Sequence, residues 1–156
     1  MARHRLLVTL CVALWAGAAL RPAQAADDPS PAGRPRTDQL VAARKLVAAK
    51  QWPQALDELK RNTDAGNADW NNLMGFVLRK NTPPDLARAE VHYDAALRLE
   101  PLHRGALEYS GELYLLRGDL ARAEKRLREL ETACPQGCRE HGDLQEAVDR
   151  YKAGKR

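Results

Sequence analysis

Apolar residues between Thr37 and Tyr151 recur at three- and four-residue spacings, the signature of amphipathic helices. The pattern predicts helices near 37–50, 53–63, 69–80, 85–99, 104–117 and 119–133, followed by a shorter one over 143–153. Turn chemistry marks their ends. Pro53 falls in a first helical turn, where its missing N–H does least harm. Asp119 after Gly118 is a good N-cap. Pro101 and Pro135 bias the residues before them, Glu100 and Cys134, out of the helical region and so stop two helices. Low aromatic content also disfavours a sandwich or barrel, and the expected fold class is all-α.

The helices come in pairs that repeat. Asp85-Leu86-Ala87-Arg88-Ala89-Glu90 recurs without change as Asp119-Leu120-Ala121-Arg122-Ala123-Glu124, displaced by 34 positions. At the same offset Tyr93 maps onto Leu127, Ala96 onto Leu130 and Pro101 onto Pro135. Upstream, Gly75 and Leu78 correspond to Gly111 and Tyr114 at an offset of 36, as though two residues had been added around Asn81-Thr82-Pro83-Pro84. A weaker first copy places Trp52, Ala55 and Leu59 34 positions before Leu86, Ala89 and Tyr93.

With these residues the stretch from Thr37 to Pro135 resembles the tetratricopeptide family, whose repeat has this period. The resemblance implies a tandem helix-turn-helix solenoid of about three repeats, 37–67, 68–103 and 104–137, with a cysteine turn and capping helix in 138–156. Gly75, Gly111, Ala89 and Ala123 would let helix backbones approach, Tyr114 would fill the space between them, and Pro101 and Pro135 would end each repeat. Gly142-Asp143-Leu144 echoes Gly118-Asp119-Leu120, which makes 143–153 the second helix of a fourth repeat whose first helix has shrunk. In this family the first helix of each pair lines a concave groove. The matching positions are Leu40 and Arg44, then Asn72, Phe76, Arg79 and Lys80, then Glu108 and Glu112. Phe76 and Glu112 stand where family members that grip a C-terminal carboxylate carry Asn, so that specificity is not expected. The face of helix 37–50 is an alternative site, for self-association.

The N-terminus changes the reading of charge. Arg3-His4-Arg5, the apolar run Leu6 to Leu20 and Ala23-Gln24-Ala25 have the form of a signal peptide, 1–25, cleaved after Ala25. The Pro-, Asp-, Gly- and Ser-rich stretch 26–36 reads as a disordered leader. The formal net charge of +4 includes Arg3, Arg5 and Arg21, so the chain beyond the signal is close to neutral and carries no basic stripe for nucleic acid. The apolar run is also short for a membrane anchor. The expected location is the periplasm of a Gram-negative bacterium.

Export leaves two cysteines, in Cys134-Pro135-Gln136-Gly137-Cys138. A structural disulfide is the first reading, because an oxidising compartment favours it and Pro135 and Gly137 bend the chain. A copper(I) or zinc site of Cys134, Cys138 and His141 is the second, and a redox-active dithiol beside Arg139 the third. His92 and His103 read as surface residues. No nucleophile elbow, phosphate-cradling loop or paired-carboxylate site is visible. The expectation is a cofactor-free, non-enzymatic module that binds another protein.

Overall fold

The computed structural model describes residues 40–154. The signal segment 1–25, the leader 26–36 and the first residues of predicted helix 37–50 lie outside them. Seven helices and no strands occur among the described residues: α1 Val41–Ala48, α2 Trp52–Arg61, α3 Ala68–Lys80, α4 Leu86–Leu99, α5 Arg104–Leu116, α6 Leu120–Ala133 and α7 Arg139–Lys152. The chain is all-α.

Side-chain caps begin four of these helices. The side chains of Asn67, Asp85, His103 and Asp119 accept from the backbone N–H groups of Trp70, Arg88, Ala106 and Arg122, satisfying donors that the first turn leaves free. In the duplicated hexapeptide the cap is built twice in the same way. Arg88 Nε adds a 2.6 Å bond to Asp85 and Arg122 Nε a 2.5 Å bond to Asp119. These backbone bonds, with the arginine bonds behind them, hold both aspartates below the ordinary carboxylate range. At the other ends, Glu100 and Cys134 leave helical geometry with φ of −135° and −145°, each just before its proline.

Each helix packs on its neighbour in sequence, and α3 also touches α5 while α5 touches α7. One apolar core runs through these contacts, from Leu40 and Ala43 through Leu59, Trp70, Val77, Tyr93, Leu107 and Leu113 to Leu130, Leu144 and Val148. Trp70 bonds across it, its indole N–H donating to the Leu59 carbonyl at 3.2 Å. Ala89 and Ala123 are fully buried and Tyr114 nearly so. A Cβ on Gly75 would lie 2.7 Å from the Tyr93 ring and 3.0 Å from the Ala89 carbonyl oxygen, so only glycine lets α3 and α4 cross this closely.

The last helix departs from the sequence expectation. It starts at Arg139, where the pattern predicts 143, and Gly142-Asp143 lies inside it. The echo of Gly118-Asp119 misleads because the two glycines have different jobs. Gly118 has φ +78° and ends α5, whereas the corresponding left-handed residue before α7 is Gly137, at φ +84°. Gly137 N–H closes a turn on the Cys134 carbonyl at 2.8 Å, and the helix follows from extended Cys138. The segment after the cysteines is thus a full helix that packs on α5 as well as on α6.

Candidate protein-binding face and the cysteine turn

Asn72, Phe76, Arg79 and Lys80 follow one another at helical spacing along one side of α3, and α5 brings Glu108, Tyr109 and Glu112 beside them. The two rows are joined. The Arg79 guanidinium meets Glu112 at 2.6 Å, and the Phe76 and Tyr109 rings lie 4.7 Å apart. Arg79 sits 5.6 and 5.5 Å from those two ring centroids, Lys80 Nζ is 5.7 Å from Phe76, and Trp52 from α2 meets Phe76 edge-on at 6.0 Å. Phe76 and Tyr109 are half-buried and Lys80 is exposed, so the cluster presents aromatic surface with a cation at its edge.

Arg79 itself is only 7% exposed. Burial opposes its charge, but the neighbouring Tyr93 and Glu112 oxygens outweigh that, and its pKa is raised. It braces α3 against α5 more than it reaches outward. Leu40, placed by the repeat pattern in the groove, is a core residue at 3% exposure. Arg44 is exposed and pairs with Asp69 of α3 at 3.1 Å.

Arg44, Asn72 and Glu108 meet at one end of this face around a cavity of about 390 Å³, which is also lined by His103, Tyr109 and Arg139. Glu108 is 4% exposed. Burial pushes its pKa up to about 7, helped by Glu112, Asp143 and Glu140 and opposed by Arg139. At the other end a second cavity of about 490 Å³ runs from Arg79, Lys80 and Glu112 past Leu115 and Leu116 to Arg150 and Tyr151.

The repeat pattern does not put Trp52, Tyr109, Arg139 or Arg150 on this face, although Trp52 marks the first copy and Arg139 stands beside the cysteines. Tyr109 follows Glu108 directly, so a signal existed in the aromatic next to a groove position. The other three reach the face from α2 and α7, and no spacing along α3 or α5 could have named them. The histidines also differ from the surface reading. His92 Nδ1 lies 3.1 Å from Asn71 Oδ1 and the ring meets Trp70 edge-on, and burial lowers its pKa. His103 caps α5 through Nδ1, its side chain only 10% exposed.

Cys134 and Cys138 stand at disulfide distance, with Cα atoms 5.9 Å apart and within the usual window of about 4.4–6.8 Å. The His141 ring faces Glu131 at 3.9 Å. Among the described residues no group of three or more His, Cys, Asp or Glu side chains is arranged to hold a metal ion. No described helix is long and apolar enough to cross a membrane.

No protein-family model matches this chain, and no curated protein is similar to it in sequence. The tetratricopeptide resemblance therefore stands on the internal duplication and its residue types alone.

Proposed function

We propose that this protein is an exported tetratricopeptide-type interaction module, acting in the periplasm without cofactor or catalysis and holding a segment of a partner protein across the face formed by α3 and α5. The observation that carries the reading is the half-buried aromatic pair Phe76 and Tyr109, flanked by exposed Lys80 and tied across the two helices by Arg79 and Glu112. Partly open aromatics with a charge at the rim are the side chains on which binding energy tends to concentrate. The duplicated hexapeptide and the alternation of paired helices support the solenoid part of the proposal. A disulfide at Cys134 and Cys138 would suit an oxidising compartment.

Cross-linking in the intact envelope followed by capture tests it. A partner protein should be recovered by the wild type and lost with Phe76→Ala combined with Lys80→Ala. Both substitutions leave the Arg79–Glu112 pair in place. Undiminished recovery by that variant overturns the assignment of the face, and recovery of the chain with residues 1–25 still attached overturns export with cleavage.

A further inference from the structure

We infer that the cavity between α1, α3, α5 and the start of α7 is a subsite for a basic side chain of the bound partner segment, an arginine or lysine whose N–H groups meet the Glu108 carboxylate and the Asn72 amide oxygen. The inference rests on the proposed binding of a partner segment at the adjoining face.

The two buried acceptors are the starting point. Asn72 and Glu108 both line this cavity, and their Oδ1 and Oε2 atoms are enclosed with no hydrogen-bond donor. Buried acceptors without donors are costly, and a pair of them on one cavity calls for a group that brings donors and nothing else. Arg104, on the same lining, is exposed and makes no ion pair with Glu108, and two further cations there are engaged. Arg44 pairs with Asp69 at 3.1 Å, and Arg139 with Glu140 at 3.5 Å and Asp143 at 3.9 Å. His103 Nδ1 accepts from the Ala106 N–H, so its remaining proton is on Nε2, which donates to Asp69 at 3.2 Å. A guanidinium supplies five donors in a planar fork, enough for a carboxylate and an amide oxygen together, and a cavity of about 390 Å³ has room for it.

At the enclosed end an anionic ligand fits poorly, since it would face the Glu108 carboxyl and the Asn72 amide oxygen, while Arg104 stands exposed on the lining. Burial, reinforced by nearby carboxylates, keeps the carboxyl of Glu108 protonated up to about pH 7 in the empty cavity. The charged and titratable groups around it are Arg104, Glu112 and Tyr109 on its own helix, Glu100 and His103 in the turn before it, and Asp143, Arg139 and Glu140 on α7, with Arg44 of α1 on the same cavity. An entering cation stabilises the ionised carboxylate and expels that proton. Affinity therefore rises as pH climbs through about 7.

The peptide acetyl-Gly-Ser-Arg-Ser-Gly-amide, titrated into the purified protein at pH 8 and followed by amide NMR shifts, is the test. Shifts should centre on Asn72, Gly105, Glu108 and Tyr109, the peptides with Ala or Glu in place of Arg should leave those signals still, and binding should weaken at pH 6. Glu108→Gln should weaken binding about tenfold or more. That variant is isosteric and loses a group whose raised pKa makes folding less favourable as pH rises from the ordinary glutamate range through about 7, so it should fold and be more stable than wild type at pH 8. Equal binding of the Glu peptide, unchanged affinity of Glu108→Gln, or shifts confined to other residues overturns the subsite. When the peptide fails but Phe76→Ala with Lys80→Ala still abolishes partner capture, the subsite alone falls. When both are without effect, the binding face falls with it.

Discussion

The hairpins α3/α4 and α5/α6 begin as copies and end differently. Their second helices share the hexapeptide, the aspartate cap and the fully buried alanine at the crossing. Even their turns close on the same bond. Asp85 N–H donates to the Leu78 carbonyl at 2.9 Å and Asp119 N–H to the Tyr114 carbonyl at 2.8 Å, although the first turn holds two more residues. The extra residues, including the cis Thr82–Pro83 peptide, are looped out between fixed end points. The glycines, aligned in sequence, do not share a neighbour. Gly75 is covered from within its own hairpin by Tyr93, while Gly111 is covered by Leu144 of α7. Leucine at 127, where the first copy has Tyr93, is smaller, and the next helix supplies the missing bulk. A repeat thus copies its caps and crossings locally but leaves its open side to whatever follows.

Removing that cover should have the largest effect. Leu144→Ala leaves a cavity beside Gly111 and should cost about 3 kcal/mol, read by urea denaturation, with Val148 and Leu113 losing amide protection before the α3/α4 core. Uniform loss of protection across both hairpins would break the distinction drawn between them. Replacing both cysteines, Cys134→Ser with Cys138→Ser, opens the short loop that sets the start of α7 and should cost roughly 2 kcal/mol, matched by adding reductant to the wild type. No difference between oxidised and reduced protein would mean that α7 docks without the bridge.

The glycines give a sharper comparison. Gly75→Ala meets an aromatic ring and a backbone carbonyl, neither of which yields easily, and should cost about 1–3 kcal/mol. Gly111→Ala meets the Leu144 side chain alone, its methyl groups at 2.6 and 2.7 Å and its Cγ at 3.3 Å, with no ring or backbone atom among them, and gains up to about 1 kcal/mol of helix propensity. It should be the milder of the two, and the reverse order would refute the account of what covers each glycine. Smallest of all are the caps. Asp85→Ala and Asp119→Ala should lower the melting temperature at pH 7 by similar, modest amounts, measured by circular dichroism. Because both carboxylates have depressed pKa values in the fold, their stabilisation is present above the ordinary aspartate range and is lost as pH falls through the depressed values. The difference from wild type should therefore vanish in acid.

Much of this architecture was legible before folding. Helix periodicity, Asp119 as a cap and the stops at Pro101 and Pro135 depend on residues within one or two turns of each other, and they place six of the helices closely. The start of α7 is not legible locally, because Gly-Asp-Leu at 142–144 looks like a boundary while the left-handed Gly137 has already turned the chain. At the candidate site, the groove pattern named Asn72, Phe76, Lys80 and Glu112 on the face, but it also named Leu40, which packs in the core.

What the sequence alone determined here is therefore short-range: the helices, their caps and the duplication, all set by hydrogen bonds and periodicity that a few neighbouring residues satisfy by themselves. The tertiary structure decided which aligned residues do the same work. Leu144 covers Gly111, Tyr109 and Trp52 flank Phe76, and Glu108 is buried beside α7, because those relations depend on side chains from separate helices sharing one volume.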